Sequence, residues 1–122
     1  MERGTVLVVD DDPLIVGFLT EFLEGDGFRV HTAVGAGAPP LAREVLPDVV
    51  LLDIMMPGMD GYQTIQLIRK QTTLRRLPII ALTAKAMKGD REKCLEAGAS
   101  DYLAKPVNTE QLLFALRMWL HR

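Results

Sequence analysis

The chain has 122 residues, 48% apolar and 25% charged, with a formal net charge of -2, which suits one globular domain with a real core and excludes a disordered segment. No basic run of five or more suggests a nucleic-acid or membrane surface, and no apolar stretch approaches the roughly 20 residues that span a bilayer. The single cysteine, Cys94, excludes an intrachain disulfide framework and a cysteine-rich zinc site. Met1-Glu2-Arg3-Gly4 carries no signal-peptide pattern, so a reducing, cytoplasmic setting is the expectation.

Short apolar runs alternate with helical periodicity, the pattern of a parallel sheet covered by helices on both faces. Thr5–Asp10 reads as the first strand, nearly continuous in apolar residues and so central. A helix follows Pro13, with Leu14, Ile15, Phe18, Leu19 and Phe22 at helical spacing and Gly25 and Gly27 as its stop. Phase places Val16, Thr20 and Leu23 off the Leu14–Phe18–Phe22 stripe, so Val16 and Leu23 are expected at the surface. Phe28–Val34 is mixed and reads as an edge strand. A second helix is expected from Pro39 or Pro40 to Val45, proline being tolerated at the first helical position. Val49–Asp53 is a second central strand.

The stretch Pro57-Gly58…Gly61 reads as a turn. A third helix is expected over Gly61–Gln71, burying Ile65 and Ile68 on one face. Pro78–Thr83 is the next central strand. Ala84–Asp90 has little apolar periodicity and an internal glycine, so rearrangement there should be cheap. A fourth helix over Lys88–Ala97 ends at Gly98, a left-handed cap. Asp101–Ala104 is the fifth strand. The last helix starts at Thr109 behind an Asn108 cap, with Gln111 three residues on. Leu112, Leu113, Leu116, Trp119 and Leu120 share its inward stripe and leave Phe114 and Met118 outside. The chain contains no repeat or linker, so residues 1–122 read as one domain.

Two apolar strands end on acid: Val6–Val9 at Asp10-Asp11-Asp12, and Val49–Leu52 at Asp53. In a doubly wound parallel sheet the carboxyl ends of the strands share one edge, where ligands bind. That edge collects Asp10, Asp11, Asp53, Thr83 and Lys105. Carboxylates gathered at the edge of a core repel one another, and a divalent cation neutralises them most simply. Each residue alone has a plainer reading: Asp12 as a helix cap, Thr83 as a cap, Lys105 as a solvated loop lysine. Together at one sheet edge they read as a site.

Four segments in order resemble the response-regulator receiver domain: Val6-Leu7-Val8-Val9-Asp10-Asp11-Asp12-Pro13, Asp48 to Gly61, Pro78-Ile79-Ile80-Ala81-Leu82-Thr83-Ala84, and Gly98-Ala99-Ser100-Asp101-Tyr102-Leu103-Ala104-Lys105-Pro106. The resemblance implies a flavodoxin-like α/β fold, with five parallel strands in the order 2-1-3-4-5 and five helices. It implies that Asp53 accepts a phosphoryl group from a histidine kinase or histidine phosphotransfer domain, as an acyl phosphate. Asp10, Asp11, Asp53 and the backbone carbonyl of Met55 would hold Mg²⁺, Lys105 and Thr83 would contact phosphoryl oxygens, and Thr83 and Tyr102 would switch. The Lys105–Pro106 bond is expected to be cis. Met55 and Lys85 stand at positions that tune phosphoryl lifetime in such domains.

The same resemblance puts phosphodonors against the first helix, with Val16 and Leu23 as the expected contact for a histidine-bearing helical partner. It puts a possible second copy against the last, with no direct nucleic-acid or membrane contact. Such a chain acts catalytically only on itself. Two rivals stand beside this reading. A metal-dependent phosphatase would need a general acid and a substrate cap, neither of which the sequence supplies. A non-phosphorylated interaction module would be expected to have lost one member of the site. Gly35–Pro40 departs from the polar helix start usual in receivers, so a short or displaced second helix is expected. Either a stand-alone regulator or a receiver cut from a hybrid kinase or larger regulator is expected.

Overall fold

The computed structural model describes residues 3–56, 59–83 and 89–120. Five short strands form the sheet, the central three rich in Val, Ile and Leu: β1 Gly4–Val9, β2 Phe28–Ala33, β3 Val49–Asp53, β4 Ile79–Thr83 and β5 Asp101–Ala104. They lie in the order β2-β1-β3-β4-β5, and every pairing is parallel. The side-chain period of two divides the core. Val6, Val8, Val49, Leu51, Ile80 and Leu82 face one layer of helices, while Leu7, Val9, Val50, Leu52, Ile79 and Ala81 face the other. Both faces are covered, so β1, β3 and β4 can be apolar throughout.

The helices are α1 Pro13–Gly25, α2 Ala38–Val45, α3 Gly61–Arg69, α4 Asp90–Ala97 and α5 Thr109–Leu120. Their ends follow the capping chemistry. Asp12 Oδ1 accepts from Leu14 N, Asp60 Oδ1 from Tyr62 N, and Asn108 Oδ1 from Glu110 N and Gln111 N. Gly98 closes α4 in the left-handed region at φ 119°. α2 is short, as its unusual start suggested, and follows a single 3₁₀ turn over Gly35–Gly37. It stops at Leu46, a non-glycine residue at φ 51°.

The predicted phase of α1 is wrong. Leu14 is 82% exposed and Phe18 47%, whereas Leu19 and Leu23 are fully buried. Ile15, Val16 and Phe22 pack partly against the core. The Val16/Leu23 surface therefore does not exist as a docking face; Leu14 and Phe18 stand outside instead. Leu14, Ile15, Val16, Phe18, Leu19, Phe22 and Leu23 spread around most of the helix, so periodicity alone could not choose the inward side. In α5 the expected phase holds, with Leu112 and Leu116 buried and Phe114 and Met118 exposed.

Two features were not foreseen. Met55–Met56 and Met59–Asp60 pair as a two-residue antiparallel ladder directly after β3. Arg69, the last residue of α3, also turns inward. Its guanidinium donates to the carbonyls of Leu74, Arg75, Leu77 and Gly98 and to Ser100 Oγ. Ser100 Oγ in turn accepts from Ile79 N. One side chain thus ties the end of α3 to the entrances of both β4 and β5. The residues expected to form the turn at Pro57-Gly58 and the soft stretch at Ala84–Lys88, Lys85 included, lie outside the described residues.

Candidate phosphoacceptor and metal site

Parallel pairing of β1 with β3 puts Val9 beside Leu52, so the acids that follow emerge side by side. Asp10 and Asp53 are 1% and 3% exposed, while Asp11 faces solvent. Carboxylate oxygens of all three lie within 4.8 Å of one another. Two such groups buried together need compensation, and Lys105 supplies it from the end of β5. Its Nζ donates to Asp10 Oδ2 at 3.0 Å and approaches Asp53 Oδ2 at 3.3 Å. Backbone amides hold the other carboxylate oxygens: Asp12 N donates to Asp10 Oδ1 and Met55 N to Asp53 Oδ1, each at 3.0 Å.

The electrostatics follow from burial and pairing. Burial pushes the Asp53 carboxyl above its ordinary range and Asp10 adds to the push, while the Met55 amide and Lys105 oppose it. For Lys105, burial disfavours the ammonium, but the hydrogen bond to Asp10 and the charges of Asp53 and Asp10 outweigh it and raise the pKa. The ammonium is therefore firmly charged, and the Asp53 carboxyl holds a proton more readily than an ordinary carboxyl does. Oxygen donors set at this spacing, with Asp11 open to water, suit a hard divalent ion that keeps part of its hydration shell.

The remaining expected residues occupy the same edge. Thr83 is buried at the end of β4, one residue beyond the Asp53–Leu82 register pair, and its carbonyl accepts from Lys105 N at 2.7 Å. Tyr102 is half-buried in β5 opposite Ala81. The Lys105–Pro106 peptide is cis. The main chain of Met55 contacts the Asp53 carboxylate while its side chain is 68% exposed. Asp12 serves as the cap of α1, its plainer reading. Beside the acids, Leu14, Ile15, Phe18, Lys105, Pro106 and Val107 line a mostly apolar cleft of about 310 Å³. Gly61 brings α3 against this loop: a Cβ there would stand 2.5 Å from Ile54 Cα and 2.7 Å from Ile54 O.

Sequence reasoning found the site's charged members because strand ends mark them. It read Gly61 only as a turn residue and did not foresee its close backbone approach to Ile54, which spacing does not encode.

Residues 6–117 match the sequence model of the response regulator receiver domain. The chain is 42% identical over 111 residues to the response regulator PleD of Caulobacter vibrioides, an alignment that takes in 90% of this chain but 24% of PleD. It is 32% identical over 117 residues to the polar-differentiation response regulator DivK of Brucella ovis, covering 95% of each. Among solved structures, the receiver domain of sensor histidine kinase PA1611 from Pseudomonas aeruginosa superposes with a TM-score of 0.90 at 39% identity, covering 98% of both chains. That structure has a magnesium ion coordinated in its active-site cleft.

Proposed function

Since the chain belongs to the response regulator receiver family, we propose that it receives a phosphoryl group on Asp53 from a phosphohistidine, in a Mg²⁺-dependent reaction, and signals by changing shape. The observation that carries this reading is the buried Asp10–Asp53 pair bridged by Lys105 beside an open Asp11. A carboxylate oxygen of Asp53 would form the new O–P bond as the P–N bond to the donor imidazole breaks. Lys105 would then exchange part of its pairing for a phosphoryl oxygen, and Thr83 would hydrogen-bond another. Asp10, Asp11, Asp53 and the Met55 carbonyl would hold Mg²⁺, which supplies charge neutralisation for the transferring group. Thr83 and Tyr102 would form the switch.

The proposal takes residues 1–122 as one receiver domain that catalyses only its own phosphorylation and dephosphorylation, in a cytoplasmic setting. The donor would dock as a histidine-bearing helix on the exposed Leu14 and Phe18, which flank the cleft beside Lys105. A second copy would use the Phe114/Met118 face of α5. Among the described residues no helix is long and apolar enough to cross a membrane.

The test is intact mass after incubation with acetyl phosphate and Mg²⁺, beside Asp53→Asn. One phosphoryl adduct that needs the metal and is absent in the variant is the expected result. Adduct formation in Asp53→Asn would move the acceptor elsewhere, and no adduct from any donor would favour a binding module. Steady turnover of a phosphate ester would favour the phosphatase reading.

A further inference from the structure

Asp101 opens β5 and serves two elements at once. Its Oδ2 accepts from the indole N–H of Trp119 in the last turn of α5 at 3.2 Å, and its Oδ1 accepts from Tyr102 N at 2.8 Å. The two partners belong to opposite faces of the sheet. Tyr102 packs against the cluster beneath α2, α3 and α4, whereas Trp119 packs against the cluster shared with α1 and α5. β5 is an edge strand, paired on one side only with β4. Its ends are fastened to β4, through Ser100 N to Ile79 O and Lys105 N to Thr83 O. Between those two fastenings the carboxylate of Asp101 joins the main chain at Tyr102 to α5.

We propose that Asp101 is a relay that passes the state of Tyr102 to α5, with the Trp119 indole as its far end. The proposal rests on the reading of Tyr102 as a switch and adds the route by which its movement leaves the strand. A hydrogen bond to a charged acceptor is worth more than a neutral one. Rotation of Tyr102 with any tilt of its peptide plane therefore perturbs a bond that α5 feels. The groove on this side, about 530 Å³, is lined by Asp101 and Tyr102 together with Phe114 and Met118. Tyr102 and Asp101 thus share one surface with the exposed apolar residues of α5.

Trp119 is the single tryptophan of the chain, so its emission and its one indole N–H resonance are assigned to this residue without ambiguity. The experiment follows both in the full chain during phosphorylation with acetyl phosphate and Mg²⁺, with intact mass measured on the same samples. The indole resonance is expected to shift and the emission to change in proportion to the fraction of chain carrying the adduct. Asp101→Ala is expected to accept phosphate as wild type does while the emission response is lost. Complete adduct formation with a static indole resonance overturns the relay alone. A static indole with no adduct from acetyl phosphate or from any phosphohistidine donor overturns both the relay and the phosphoacceptor reading. A full wild-type emission response in Asp101→Ala also overturns it. Should that variant not fold, the wild-type indole resonance still decides.

Discussion

Replacing Lys105 with methionine keeps most of the side-chain volume and removes the one charge that lies between two buried carboxylates. Asp10 and Asp53 would then face each other with no cation between them. The cheapest response in a metal-free buffer is for one of them, Asp53 first, to take a proton. From an ordinary value of 3.8, holding a carboxyl protonated at pH 7 costs about 4 kcal/mol, at about 1.36 kcal/mol per unit. That sets a ceiling, and hydration from the Asp11 side lowers it, so a loss of about 2–4 kcal/mol is expected. With an unfolding entropy of roughly 2.1 cal/mol/K per residue, the melting temperature should fall by about 8–15 °C.

The sign of the pH dependence separates this cause from lost packing. Asp53 in the variant has a folded pKa raised further above its unfolded value. A group of that kind contributes stability below the unfolded pKa and loses it as pH rises through the folded one. The deficit against wild type should therefore shrink as pH falls from 7 towards 5, and shrink also on adding millimolar Mg²⁺. Thermal melts by circular dichroism at several pH values, with and without the metal, make the measurement. A deficit below about 1 kcal/mol, or one indifferent to both pH and Mg²⁺, would refute the argument that Lys105 compensates a buried charge pair.

Arg69→Met should cost about 2–4 kcal/mol in thermal or urea unfolding, since several carbonyls lose a charged donor at once and the loop ones can be only partly rehydrated. Arg69→Lys should recover little of this, because one ammonium cannot reach the carbonyls on both sides that the guanidinium serves. Gly61→Ala should destabilise by about 2–4 kcal/mol and slow acetyl phosphate labelling, because the added carbon meets backbone at Ile54 rather than a yielding side chain. Leu14→Glu should change stability by no more than about 0.5 kcal/mol yet slow transfer from the cognate donor several-fold. Val16→Glu should instead lower the melting temperature, and a reversed pattern would restore the phase that the structure overturned.

The sheet and the charged site were legible because both rest on short-range signals. A strand buried on two faces is an apolar run, and an acid placed directly after it has only one place to be. The phase of α1 was not legible, since seven apolar residues in a thirteen-residue helix leave no clear polar stripe, and only the tertiary fit selects Leu19 and Leu23. Arg69 was invisible for another reason. An arginine at a helix C-terminus is ordinary surface chemistry, and nothing local says that the carbonyls of Leu74, Leu77 and Gly98 would converge on it. The Met55–Asp60 ladder escaped because two-residue strands carry no periodicity.

The division of the core between two faces has a consequence for how this chain can vary. Val49 and Leu51 fill one layer and Val50 and Leu52 the other. Deleting one residue within β3 would send each downstream side chain into the opposite layer and draw the following acid back by about 3.3 Å. The carboxylates would no longer meet. Helices and loops here can lengthen or shorten at modest cost, but the strand acts as a ruler. Insertions and deletions compatible with signalling should therefore fall outside Val49–Asp53, and a deletion series through this segment should show metal binding and native stability vanishing together.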